Sequence, residues 1–267
     1  MERHTTTEAL DFGHNAIFKV LGVPIEALQI PDLITRMERW IRCLNYGNCI
    51  TFANVHVVIE SLHDGMLKTA LMDSKTLTVP DGKPLIWMAR FRGFGLQRRV
   101  YGPDLMYDFV AATANSGYRH YFYGGAPGVP QKLAAELCKR FPSLIVSGMY
   151  SPPFRPLSDL EDDEVIAMIN STRPDVLWIG LGCPKQEKWA FEHRDRLEVP
   201  VIAAVGQAFD IHAGVARQAP RWMGEHGLEW LFRLVREPRR LWRRYLLYNT
   251  EFLWKVVLES LGLKQFT

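Results

Sequence analysis

The feature that most constrains this chain is an alternation, sustained up to about residue 210, of short apolar runs with longer stretches of helical character. The runs Cys49–Ala53, Thr76–Val79, His120–Tyr123, Leu144–Tyr150, Val176–Gly180 and Val201–Val205 have the length and the β-branched and aromatic content of buried strands. Helical patterns fill the intervals at Val55–Met72, Gly102–Ser116, Val129–Phe141, Leu160–Ser171 and Pro184–Arg196. Two of these carry start signals, the acid-rich Ser158-Asp159-Leu160-Glu161 and a first-turn proline at Pro184. Strands separated by helices join through crossovers, so the expectation is an α/β fold: a mostly parallel sheet flanked by helices.

In such a sheet, ligands bind in the crevice outside the carboxyl ends of the strands. The informative residues fall at those ends. Asp81 lies in Pro80-Asp81-Gly82-Lys83-Pro84, where two prolines and a glycine fix the backbone around one carboxylate. A general base needs fixed placement of that kind, and a turn aspartate bonded to its own backbone has the same sequence. Asn54 follows the strand ending at Ala53, where its amide fits either a sugar hydroxyl or the cap of the next helix. Gly124-Gly125 and Gly180-Leu181-Gly182 are strand-to-helix turns that let backbone approach a phosphate, and tight turns of this type also use glycine without any ligand. Neither forms a full G-x-G-x-x-G fingerprint, which counts against a dinucleotide oxidoreductase. Gln186, at the start of a helix, either reaches the crevice or sits in a solvated first turn.

The character changes after Gly214, dividing the chain into a catalytic α/β core, 1–214, and a helical C-terminal appendage, 215–267. From Arg217 to Arg244 eight arginines face three acids, a local excess of five positive charges in a chain whose formal net charge is +3. Trp222, Trp230, Phe232, Trp242, Tyr245, Tyr248, Phe252 and Trp254 interleave with them. Arg233, Arg240 and Arg243 share one helical face if the helix runs on through Pro238. Arginine forks match diphosphate oxygens, and arginine with tryptophan also suits a membrane interface with acidic headgroups. A pI near 8.6 is below that of a strongly basic nucleic-acid-binding domain, so nucleic acid is not the expected partner. Apolar runs such as Val199–Val205 are too short to span a bilayer, and Met1–Leu10 has no signal-peptide core. A cytoplasmic location is therefore expected. Cys43, Cys49, Cys138 and Cys183 form no C-x-x-C pair and read as reduced, structural thiols; no cofactor or metal is expected.

Taken in order, Asn54, Pro80-Asp81-Gly82, Arg99-Val100-Tyr101-Gly102-Pro103-Asp104, Tyr123-Gly124-Gly125, Gly180 through Glu187, Phe209-Asp210 with Ala213-Gly214, Gln218-Ala219-Pro220 and Leu228-Glu229-Trp230 resemble the WecG/TagA/CpsF glycosyltransferase family from about Val20 to Trp254. The resemblance implies a Rossmann-like core and an inverting, metal-independent hexosyltransferase. Its implied substrates are a UDP-sugar and a polyprenyl-diphosphate-linked saccharide, in the making of exopolysaccharide, capsule or wall polymer. It implies further that Asp81 is the base, that Asn54, Arg99 and Gln186 line the pocket with Asp104, Gly124, Gly125 and Asp210, and that Arg233, Arg240 and Arg243 hold diphosphate charge. The appendage would complete the site at the inner face of the membrane, and self-association into a homo-oligomer is a further implication. One departure stands out: Phe52 occupies a place where relatives often carry threonine, with Thr51 on the opposite strand face. Two rival classes share parts of the pattern, a Rossmann-type nucleotide-dependent oxidoreductase and a non-enzymatic membrane-surface adaptor.

Overall fold

The computed structural model describes residues 16–266. It opens with an antiparallel hairpin that the apolar pattern did not announce, β1 (Ile17–Val20) and β2 (Val23–Glu26). Its two-residue turn has positive φ at both positions, 48° at Leu21 and 86° at Gly22, the geometry whose twist matches paired strands. A buried leucine in the left-handed region replaces the usual Asn-Gly signal, so the turn has no sequence signature. The chain continues as α1 (Ile30–Arg42), β3 (Asn48–Ala53), α2 (Val55–His63), α3 (Gly65–Met72), β4 (Thr76–Pro80), α4 (Lys83–Phe91), α5 (Gly102–Thr113), β5 (Arg119–Gly124) and α6 (Val129–Arg140). After β6 (Ile145–Tyr150) come α7 (Asp159–Ser171), β7 (Val176–Gly180), α8 (Lys185–His193), β8 (Val201–Ala203), α9 (Ala208–His212), α10 (Arg221–Glu225), α11 (Glu229–Arg236) and α12 (Pro238–Ser260).

Strands β3 to β8 form one parallel six-stranded sheet in the order β4-β3-β8-β7-β5-β6. The expected fold class is thus present, a Rossmann-like sheet between helical layers. Period-two alternation sorts the side chains between the two faces. Val176, Trp178, Val201 and Ala203 join the core under α1, α5, α6 and α9. Leu177, Ile179 and Ile202 join the core under α7 and α8. The helix after β3 lies over one face and the helix after β8 over the other, although these strands are neighbours. Where adjacent connections leave in opposite directions a crevice opens at the strands' carboxyl ends.

Several boundaries differ from expectation. The single helix over Val55–Met72 is two, because Asp64 adopts an extended backbone and its carboxylate accepts from the amides of Met66 and Leu67, capping α3. The last strand stops at Ala203, since Val205 N–H turns back to Ala203 O. The helix through Pro238 is also broken: Glu237 sits at φ −131°, ψ 58° between α11 and α12. Proline forces its predecessor out of the helical region and cannot donate to the preceding turn, so a new helix starts there. Arg233 therefore does not share a continuous helical face with Arg240 and Arg243.

The long helix α12 packs on α2. The Tyr248 hydroxyl donates to Glu60 (2.6 Å), its ring stacks on His56 at 5.1 Å, and Glu251 pairs with His63 at 2.8 Å. Phe252 is buried in the core that contains the β1–β2 hairpin. Among the described residues no helix is long and apolar enough to cross a membrane. The four cysteines are free thiols.

Candidate active site

Parallel register brings the ends of β3 and β4 side by side, with Ala53 opposite Pro80. The next residues, Asn54 and Asp81, are thus neighbours. The Asp81 amide donates to Ala53 O at 2.7 Å, and a Cβ placed on Gly82 would lie 3.5 Å from Asn54. The Asn54 side chain accepts from Val57 N–H at 3.2 Å, so it caps α2 as a helix-start asparagine should. Asp81 behaves differently from a turn aspartate. Its Oδ1 is buried and accepts no hydrogen bond among the described residues. Burial, opposed by Arg99 and reinforced by Glu229, pushes its carboxyl from the ordinary 3.8 up to about 7.

The segment leading into α5 runs alongside β4, fixed by Val100 N–H donating to Pro80 O at 2.8 Å. Alternation along this extended segment puts Arg99 and Tyr101 on the same side, and the Arg99 guanidinium lies 4.1 Å from the centroid of the Tyr101 ring. Arg99 Nη1 is 3.6 Å from Asp81 Oδ1, while its Nη2 pairs with Glu229 at the start of α11. Glu229 pairs in turn with Arg233 one turn later at 2.8 Å, and Arg233 also donates to the Tyr101 hydroxyl at 3.4 Å. The appendage thus lies against the pocket: a Cβ at Gly227 would meet Lys83 at 3.2 Å, and one at Gly224 would meet Arg99 at 3.4 Å. Asp104, exposed in the first turn of α5, has its carboxyl pushed up by partial burial, opposed by Arg99 and a hydrogen bond with Gln218.

Asp81, Arg99, Asp104 and Arg233 therefore converge, with Asn54 beside them. The other residues singled out from the sequence are placed differently. Gly124 has φ 121°, and a Cβ there would be 2.6 Å from the carbonyl of Gly180. Gly125 N–H donates to that same carbonyl at 2.9 Å. The glycines at this turn are required by the close approach of β5 to β7, and the Gly125 amide is spent inside the protein. Gln186 is neither solvated nor pointing into open space: its Oε1 accepts from Gly182 N–H (3.1 Å) and its Nε2 donates to Ala204 O (2.7 Å) and Glu187 (3.0 Å). It ties the β7 and β8 exits together. The Asp210 carbonyl accepts from Val215 and Ala216, fastening the chain where the appendage begins. Arg243 is exposed with its guanidinium 5.3 Å from the Trp242 ring, and the side chain of Arg240 lies outside the described residues. Phe52 is buried in the core under α1 and α5, and Thr51 hydrogen-bonds Thr78 between β3 and β4 at 3.0 Å.

Three residues here were given no role from the sequence, although Tyr101 and Glu229 stand within its motifs. Glu229 and Tyr101 complete the charged cluster; the signals were the Glu229/Arg233 spacing of one turn and the same-side placement of Arg99 and Tyr101. Gln207, at the exit of β8, has a buried Oε1 that accepts no hydrogen bond among the described residues. Among those residues no group of three or more His, Cys, Asp or Glu side chains converges as a metal-ligand set.

A basic carboxylate at the carboxyl edge of a doubly wound sheet, bordered by guanidinium groups, is the equipment of a group-transfer enzyme acting on an anionic substrate. The chain belongs to the glycosyl transferase WecG/TagA/CpsF family, whose model matches residues 18–266. It is 26% identical over 226 residues to a Bacillus subtilis (strain 168) N-acetylglucosaminyldiphosphoundecaprenol N-acetyl-beta-D-mannosaminyltransferase, covering 84% of this chain and 85% of that protein. The enzyme of the same name from Staphylococcus aureus (strain MW2) is 24% identical over 226 residues, 84% of this chain and 86% of its own.

Proposed function

We propose that this glycosyltransferase moves a sugar from a UDP-sugar onto a polyprenyl-diphosphate-linked saccharide, with inversion and without a metal ion, in the building of exopolysaccharide, capsule or wall polymer. The acceptor class follows from the relatives, which are named for an undecaprenyl-diphosphate-linked N-acetylglucosamine. The observation that carries the chemistry is Asp81, half-buried, with a buried Oδ1 that accepts no hydrogen bond among the described residues and a carboxyl raised to about 7. A base of that strength is in good part deprotonated near neutral pH and still strong enough to take a hydroxyl proton.

In this reading Asp81 removes the proton from the acceptor hydroxyl as its oxygen attacks the anomeric carbon, and the bond to the UDP diphosphate breaks on the opposite face. The proton rests on Asp81 and the electron pair leaves with UDP. An α-linked donor would then give a β-linked product. Charge gathering on the diphosphate is met by guanidinium groups, with Arg99 and Arg233 nearest the base and Arg240 and Arg243 farther along the appendage. Asn54 and Asp104 border the acceptor side, and the free acceptor oxygen of Gln207 is placed to receive a donor from the nucleotide sugar. The glycine turns at Gly124-Gly125, with Gln186 and Asp210, shape the pocket wall. Residues 215–267 seat the enzyme on the cytoplasmic membrane face, supported by the exposed Trp222, Trp242 and Trp254 and by Arg243 over the Trp242 ring.

The test is turnover of a panel of UDP-sugars with a synthetic prenyl-diphosphate N-acetylglucosamine, read by mass. Asp81→Asn should lose about 10² to 10⁴ in rate, and chelation of divalent metal should leave the wild type unaffected. Wild-type turnover by Asp81→Asn would show that another group takes the proton.

A further inference from the structure

Arg99 makes a loose ion pair with Asp81 and no hydrogen bond to its Oδ1. Its Nη1 is 3.6 Å from the Asp81 carboxylate, while its Nη2 is paired with Glu229 and its plane lies against Tyr101. A guanidinium released from those restraints closes on a neighbouring carboxylate, because the forked, charge-assisted pair is the strongest contact open to it. A carboxylate paired in that way falls by about 1 to 3 pH units and becomes a poor base at neutral pH. Glu229 is itself anchored by Arg233 at 2.8 Å and has only 12% of its side chain exposed. The charged or titratable groups acting on Asp81 are Arg99 from the segment before α5, Tyr101 and Asp104 at its start, and Glu229 and Arg233 from α11. Of these, Glu229 is the acid in contact with Arg99.

We propose that Glu229 is a positioning residue, whose carboxylate holds the Arg99 guanidinium off Asp81 so that the base has its working strength only while α11 is seated over the pocket. The inference rests on the reading of Asp81 as the base. It gives the appendage a role inside the core: with α11 lifted away, Arg99 closes from its loose 3.6 Å ion pair into a hydrogen-bonded fork on Asp81 and silences it.

The experiment titrates the Asp81 carboxyl by NMR in full-length protein carrying 13C-labelled aspartate, with the resonance assigned by its loss in Asp81→Asn. Four proteins are compared: wild type, Glu229→Gln, Arg99→Gln and the double variant. Glu229→Gln should lower the Asp81 midpoint by about 1 pH unit or more, and by clearly less when Arg99 is already glutamine. The acid limb of kcat/KM should follow the same shift, and Glu229→Asp, which keeps the charge on a shorter stem, should recover part of it. Equal falls in the two backgrounds would mean that Glu229 acts through its own charge or through the fold, and no fall would mean that it does not act on Asp81; either result overturns the proposal. If Asp81→Asn keeps its turnover, the base assignment fails while the titration cycle still reports on Glu229. If Asp81→Asn is inactive and the cycle shows no coupling, the base stands and the positioning role falls.

Discussion

Replacing Asp81 by asparagine should make the folded protein more stable, and increasingly so as pH rises. The native carboxyl titrates at about 7 against an ordinary 3.8, chiefly because it is buried. Between those values the folded chain holds a proton that the unfolded chain has released, so stability present below the lower value is lost as pH rises through the upper one. At about 1.36 kcal/mol per pH unit of difference, a shift near three units amounts to about 4 kcal/mol at pH 8 and almost nothing at pH 4. Asparagine has the same size and no charge to desolvate, so it recovers that amount. For a chain of this length each kcal/mol moves the melting temperature by roughly 2 °C. Scanning calorimetry should therefore show Asp81→Asn melting up to about 8 °C above wild type at pH 8, with the two converging near pH 4. Comparing the variants at each pH cancels every other titrating group. A turn aspartate bonded to its own backbone behaves in the opposite way, with a lowered pKa and a loss on substitution at every pH above it. An Asp81→Asn protein that melts below wild type at pH 8, or differs from it equally at both ends, refutes a carboxyl raised by burial.

Two further outcomes follow from the core. His120 is buried against Trp178, whose indole N–H donates to its Nδ1 at 3.0 Å, and burial brings its pKa down from 6.5 to about 4. Only the unfolded chain takes up that proton between those values, so stability should fall by about 3 kcal/mol as pH drops through the window; urea unfolding of His120→Gln should lack this slope, and an unchanged slope refutes the assignment. Gly124→Ala should cost at least about 1 to 3 kcal/mol through overpacking, because the new methyl meets the Gly180 carbonyl at 2.6 Å. Gly128→Ala, with φ 85° but open space, should cost only about 1 to 2 kcal/mol of backbone strain, and equal losses in denaturant unfolding would remove the close-approach argument.

The sheet was legible because most of its strands are largely apolar runs buried on both faces, the half-exposed edge strand β6 being the exception, and such runs are locally distinctive. The elements that were not legible depend on single residues in unusual roles. Leu21 turns a hairpin without glycine or asparagine at the first position, and Asp64 looks like one more polar residue in a helix until its carboxylate is seen capping the next one. At the site, Asp81 and Arg99 were visible as motif residues, since rigid flanking prolines and glycines mark the bend. Their relation to Glu229 was not, because it spans well over a hundred residues and no local periodicity encodes it. Gln186 shows the converse: a polar residue at a helix start reads as exposed or ligand-binding, and only the fold reveals that both ends of its amide are used between two loops.

Charge bookkeeping over the pocket indicates what the appendage adds. The core alone places two acids, Asp81 and the more exposed Asp104, near one guanidinium, Arg99, and left to itself the Asp81–Arg99 pair closes and neutralises. The appendage contributes Glu229 and Arg233, a pair of zero net charge, so its effect at this point is on which partners touch and leaves the total charge unchanged. In the proposed role it keeps Arg99 at a loose 3.6 Å from Asp81, whose buried Oδ1 accepts no hydrogen bond among the described residues and whose carboxyl is raised to about 7. The excess positive charge of the segment must then serve elsewhere. Arg236, Arg239 and Arg243 are exposed, among the exposed rings of Trp222 and Trp242, where they suit an anionic interface or the phosphates of a lipid-linked acceptor. Because Arg233 is already paired with Glu229, a diphosphate bound as proposed would have to compete with that carboxylate for it. On the proposed reading, substrate arrival and the basicity of Asp81 would thereby be linked through one acidic side chain.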